Sequence, residues 1–342
     1  MTQSLVSTPV TPDSGTGRPR RALRAVAVLA CLPYLALKVA WIAGSHVGIP
    51  EGSSLLAHRT AMVVGNSITV LLDGAVVVLA LMLTRPWGLR VPAWLPAVPV
   101  WVATGLLAPI MAGFPLHLLV RMLGGTVNGA SATGRGPFLD AWVFGVVYTG
   151  FIVQGLALGA LFIRYARDRW GYLWRGRVRE LPVGVIEPAQ RATAAAAAVL
   201  ALLPLTVQFL WACDSTAGLS DHRATDRTSD FYALAALYVL FLAAAVAGGL
   251  ILAFRRGGVL PVKVPLALAW TGSGVMACWG AWLSLAPLAG VDDIADRPTP
   301  LMNLTYAGQM IVGILVAVIC VHFFAERSAD APQRPTMEVP PA

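Results

Sequence analysis

Eight stretches of about 20 or more mainly apolar residues follow one another along this chain, each the length that a hydrocarbon core of roughly 30 Å demands of a helix. The composition agrees: 57 % of the residues are hydrophobic and 12 % are charged, with a mean hydropathy of +0.71. Soluble domains carry roughly 25 % charge, so a water-soluble fold would leave far too much apolar surface with nowhere to go. The sequence predicts an all-α, polytopic integral membrane bundle of eight transmembrane helices, with no room for a separate soluble domain.

The expected spans cover residues 22–44, 60–83, 94–120, 138–163, 192–213, 231–254, 264–290 and 304–324. They divide into a first four-helix unit over 22–163 and a second over 192–324, joined by a basic connector, 164–191. Residues 1–21, rich in Ser, Thr, Pro and Gly and ending in arginines, and the Pro-rich tail 325–342 are expected to be disordered. The first span is too long for the apolar core of a cleaved signal, contains Lys38 and lacks a small-x-small cleavage pattern, so it reads as a retained helix. The third contains Pro96, Pro99, Pro109 and Pro115 and is expected to be broken or kinked by them.

The net charge of +8 follows the membrane rather than a nucleic-acid partner. With the N-terminus inside, eighteen of the 25 basic residues fall in cytoplasmic segments, six fall in outer loops, and Lys38 remains within a span. That is the positive-inside pattern, and it places both termini in the cytoplasm of a bacterial-type inner membrane. Trp170, Tyr172 and Trp174 interleave with the arginines between Arg164 and Arg191. Basic and aromatic residues beside a membrane predict a segment lying on anionic lipid head groups. The four cysteines, Cys31, Cys213, Cys278 and Cys320, show no metal or disulfide spacing and read as small apolar side chains in or at the ends of spans.

An internal repeat shows through. Tyr148-Thr149-Gly150, Gly155 and Asp168-Arg169 recur at one constant offset as Tyr306-Ala307-Gly308, Gly313 and Glu326-Arg327. Trp101-x-Ala103 and Leu107-Ala108-Pro109 recur as Trp279-x-Ala281 and Leu285-Ala286-Pro287, and Leu32-Pro33 ahead of Trp41 as Leu203-Pro204 ahead of Trp211. Four spans per unit make such a repeat parallel, with its axis along the membrane normal. Several transporter folds are assembled this way, with sites at the interface between repeats, although duplication also occurs in proteins that transport nothing. Lys38-x-x-Trp41-x-x-Gly44, followed by Gly48, resembles a short pattern of small four-span actinobacterial membrane proteins, a resemblance that implies no activity.

Two charges stand where lipid tolerates none, Lys38 in the first span and Asp73 in the second. A charge near the bilayer centre costs several kcal/mol unless it is paired or faces a polar cavity, so these neighbours are expected to satisfy each other. Asn66 and Thr69 precede Asp73 at helical spacing and share its face, which predicts a polar interior surface, with Gln154, Gln208 and Gln309 as further lining. The functional reading is a site for a small molecule or an ion; the competing one is a static ion pair that fixes packing. His117 and His322 read as lone interfacial residues.

The outer loops offer a second candidate. Asp292, Asp293 and Asp296 have a DDxxD spacing, and Asp226 and Asp230 stand on the same side. Grouped carboxylates suit a hard cation, which would make the protein a membrane enzyme acting on a lipid or isoprenoid. Arg223, Arg227 and Arg297 are interspersed, so solvated, paired loop acids are the alternative. No phosphate-binding loop, nucleophile triad or haem motif is present, and no cofactor is expected. The leading expectation is a transporter or permease-like protein, with the enzyme and a structural or regulatory subunit as rivals.

Overall fold

A computed structural model describes residues 17–51, 53, 56, 59–124, 139–181, 187–225, 227–285 and 297–329. Among these, eight helical spans are long and apolar enough to cross a membrane. Span 1, Gly17–Ile42, consists of two helices, Gly17–Leu29 and Leu32–Ile42. Spans 2 to 8 are Arg59–Met82, Trp94–Met122, Ala141–Trp170, Glu187–Ala212, Ser229–Phe254, Lys263–Leu285 and Pro300–Ala329. The outward surface stays apolar: Leu71, Trp94, Val199, Leu240 and Val321 are all exposed, a surface that in water would drive association. Eight apolar helices with such a surface indicate a multi-pass membrane protein.

Prolines act differently in spans 1 and 3. Pro33 has no N–H for the Leu29 carbonyl and its ring crowds that oxygen, and the helix breaks at Ala30–Cys31. The Cys31 thiol then donates to the Ala27 carbonyl at 3.2 Å. Span 3, expected to break, is instead one helix with Pro99, Pro109 and Pro115 inside it. The Trp279 indole of span 7 donates to the Leu106 carbonyl at 3.4 Å, one residue beyond the Gly105 carbonyl that Pro109 leaves without its helical donor.

Four helices run past their expected ends at the basic face, where the connectors between spans 2 and 3, 4 and 5, and 6 and 7 gather. Residues 17–21, expected in the disordered tail, begin span 1, and Arg20 pairs with Asp168 at the end of span 4. Span 4 continues to Trp170, span 5 starts at Glu187, inside the expected connector, and span 8 continues to Ala329. An apolar window marks only the hydrocarbon, and the charged turns beyond it stay helical because they find partners. Arg169 and the Tyr165 hydroxyl donate to the Gly88 carbonyl at 3.1 and 2.7 Å. Arg327 donates to the carbonyls of Leu173 and Arg175 at 2.9 and 3.2 Å. Arg255 stands between Glu187 and Glu326, at 3.7 and 3.5 Å, tying spans 5, 6 and 8.

The connector is fastened to the bundle at two of its aromatic residues. Trp170 packs edge-on against Tyr165 and Trp174 against Phe324, while Tyr172 and the arginines at 164, 167, 175, 177 and 179 remain exposed. Cys213 is exposed as well, whereas Cys31 and Cys320 are buried.

The centre is span 7, packed against spans 3, 6 and 8 through close backbone approaches. A Cβ on Gly105 of span 3 would lie 2.3 Å from the Gly274 carbonyl oxygen of span 7, and one on Gly280 would lie 2.5 Å from the Met310 amide nitrogen of span 8. Without a driving force between apolar helices, lipid rewards such close packing of small residues. Span 2 has no comparable seat: it rests mainly on span 1, and nothing lies within 4 Å of a Cβ built on Gly65 or Gly74. Gly105→Val should therefore lower the melting temperature in detergent, by the 1–3 kcal/mol typical of overpacking or more, while Gly65→Val should leave it unchanged.

Candidate functional site

The Pro33 break and a glycine opposite it bring spans 1 and 4 together. A Cβ on Gly150 would lie 3.0 Å from both the Ala30 carbonyl oxygen and Tyr34 Cδ1. Across this contact Tyr34, fully buried, packs its ring on Phe151 with centroids 4.9 Å apart. Its hydroxyl is thereby delivered to the space between spans 2 and 4.

Four polar side chains meet there. Lys38 Nζ donates to Asp73 Oδ2 at 2.9 Å. Asp73 Oδ1 lies 3.2 Å from the Tyr34 hydroxyl, which lies 2.7 Å from Gln154 Oε1. The Lys38 ammonium also sits 4.9 Å from the centroid of the Tyr34 ring, where the negative face of the ring attracts it. Only 12 % of the Lys38 side chain and 10 % of the Asp73 side chain are exposed. Asp73 and Gln154 lie about 20 Å along their helices from the face opposite the connectors, whereas Lys38 is about 6 Å from the end of its own. The lysine stem reaches inward to the carboxylate.

The Tyr34 hydroxyl has one proton for two acceptors. If the Gln154 amide is turned over, its NH2 donates to the tyrosine oxygen and the hydroxyl proton serves the carboxylate. The hydroxyl can thus be satisfied in either direction, toward Gln154 or toward Asp73. An open apolar groove of about 320 Å³ lies alongside, between Pro33, Ala36, Leu37 and Ala40 of span 1 and Trp142 and Val146 of span 4; the four polar groups do not line it.

The other polar residues expected here fall elsewhere. Asn66 and Thr69 share the Asp73 face, but their side chains donate to their own helix, to the carbonyls of Met62 and Asn66, both at 2.9 Å. Gln208 and Gln309 are buried in the second half of the bundle. Tyr34 was missed by the sequence reading, although it stands one helical turn from Lys38 on the same face.

The carboxylate candidate for a metal is distributed differently. Asp226, Asp292, Asp293 and Asp296 lie outside the described residues. Asp230 Oδ2 lies 2.7 Å from Nδ1 of His117, joining span 6 to the end of span 3, so His117 is not a lone interfacial histidine. Asp214, in a left-handed conformation (φ 69°), takes Arg227 and the Tyr232 hydroxyl on its Oδ1. No group of three or more metal-ligating side chains occurs among the described residues.

Comparison of the chain with protein-family models, with curated proteins and with solved structures yields no match. The geometry alone carries the argument. Lys38→Met should destabilise the protein by about 3–5 kcal/mol, because it leaves a buried carboxylate unpaired, and Lys38→Met with Asp73→Leu should recover most of that loss. Thermal melting of purified single and double variants measures both.

Proposed function

We propose that this is a transporter or permease-like protein for a small solute or an ion, with Asp73 as a proton-carrying group at its centre. The observation that carries the reading is the chain Lys38–Asp73–Tyr34–Gln154, which links spans 1, 2 and 4 through a hydroxyl with two stable orientations. Neutralising two charges needs only the first two members. Protonation of Asp73 removes its attraction for Lys38, whose ammonium lies near enough to the helix end to snorkel outward. The Tyr34 hydroxyl then turns to Gln154. Span 2 packs Leu79, Ala80 and Met82 against spans 1, 3 and 4, so in this reading the stretch around Asp73 is the part that the pair holds and that protonation releases.

The turns following spans 1 and 5 support an origin by duplication into parallel halves. Trp41 and Trp211 donate their indole N–H to the carbonyls of Val47 and Ala217 at 2.7 and 3.0 Å. The Val47 and Ala217 amides donate to the hydroxyls of Ser45 and Ser215 at 3.3 and 3.2 Å. Gly48 and Gly218 both adopt a left-handed conformation, with φ of 74° and 71°, and a Cβ on either would strike Val143 or Leu301, each at the start of a later span. In this reading the termini are cytoplasmic, the membrane is a bacterial-type inner membrane, and the exposed arginines of the 164–191 connector meet anionic lipid head groups.

A packing role is the second reading, favoured by the closed state of the pair. The two separate in proteoliposomes loaded with a pH-sensitive dye and driven by a potassium diffusion potential. Wild-type protein should admit protons faster than empty liposomes, and Asp73→Asn should reduce entry to the empty level. The Lys38→Met, Asp73→Leu double variant should fold yet conduct nothing. Equal proton entry by wild type and Asp73→Asn would sink the role assigned to the carboxylate.

A further inference from the structure

The second half of the bundle buries polar groups for which the chain supplies no partner. Gln309 of span 8 is fully buried, and neither its Nε2 nor its Oε1 has a hydrogen-bond partner among the described residues. Buried amides in native folds are bonded to something, and where protein groups are lacking, an ordered water or ligand takes the bonds. Gln309 shares its helix face with Tyr306, one turn earlier. The Tyr306 hydroxyl accepts from Arg223 Nη1 at 3.2 Å, and Arg223 belongs to the short helix Asp221–Thr225 near the outer turn. Tyr238 of span 6 is buried as well.

Gln208 completes the set from span 5. It is 3 % exposed. Its place is the one that Lys38 holds in span 1: each stands three residues before the tryptophan whose indole bonds to the following turn. Where the first half buries an ion pair, the second half buries amides and phenols, with no ionised group among Gln208, Tyr238, Tyr306 and Gln309.

We propose that these four side chains line a second intramembrane site, which takes an uncharged ligand able both to donate and to accept a hydrogen bond. Bound water and the hydroxyl or carboxamide group of a small solute share that chemistry. An amide offers one donor group and one acceptor group side by side, so a single such ligand closes both open valences of Gln309. Arg223, bonded to the Tyr306 hydroxyl at the edge of the site, repels cations. The site stands independently of proton movement through Asp73.

The test uses the full-length protein. A structure at a resolution that shows ordered water should hold non-protein density within about 3.2 Å of both Gln309 Nε2 and Oε1. Acetamide, a small uncharged donor and acceptor, distinguishes the sources. A saturable rise in the wild-type melting temperature, abolished in Gln309→Met, identifies a solute site; ordered density with no response to acetamide identifies bound water. Gln309→Met, which keeps the side-chain length and removes both polar atoms, should lower the melting temperature by a few degrees. A Gln309 amide bonded to protein groups with no density beside it, or a Gln309→Met protein as stable as wild type, would overturn the proposal, and the density decides even if the variant fails to fold.

Discussion

Hydrocarbon offers an ammonium or a carboxylate nothing, and the first half of this bundle is arranged around that fact. Lys38 and Asp73 reach each other from different depths, and the spans that bear them are placed accordingly. The break before Pro33 turns the second helix of span 1, the small Gly150 lets span 4 close against it, and Tyr34 fits between. Each of these local features would be a defect in an isolated helix. Together they deliver two polar partners, Lys38 and Tyr34, to one carboxylate, and a buried charge requires such partners to persist.

The second half is held by other means. Span 7 lies against spans 3, 6 and 8 with backbone nearly touching backbone, and the basic face is fastened by arginines on connector carbonyls and by Arg255 between two glutamates. Packing of this kind has little tolerance for displacement, because helix surfaces in atomic contact cannot slide without opening gaps. Span 2, seated mainly on span 1 and tethered through a titratable group, is the opposite case. In the proposed reading, protonation of Asp73 would act on the middle of span 2 and leave the closely packed second half in place.

The architecture was legible because lipid imposes it: eight apolar windows of helical length need eight helices, and the described residues contain eight. The helix ends were not, since hydropathy records where hydrocarbon stops, while the turns beyond it are stabilised by Arg169, Arg327 and Arg20 on partners distant in sequence. Lys38 and Asp73 stood out as charges, so their meeting was foreseeable. Tyr34 did not, because a tyrosine in an apolar run reads as bulk and only the three-dimensional meeting of spans 1, 2 and 4 reveals what its hydroxyl touches. Asn66 and Thr69 show the converse limit. Helical spacing put them on the right face, but a short polar side chain in lipid can satisfy itself on its own backbone one turn back, and both do so.

The same reasoning separates Gln154 from Gln208 and Gln309, three of the four buried glutamines, which composition treats alike. Asn and Thr side chains are short enough to return to their own helix; a glutamine is longer and more often has to look outward. Gln154 finds the Tyr34 hydroxyl, because span 1 carries a tyrosine at the level where span 4 carries the amide. In the second half the residue that aligns with Tyr34 beneath the matching turn is Pro204, packed 3.5 Å from the position of a Cβ on Gly308, and proline offers no hydroxyl. If the halves arose from one ancestral unit, they have diverged at this level into one centre that is charged and closed upon itself and one that is neutral and open to a ligand.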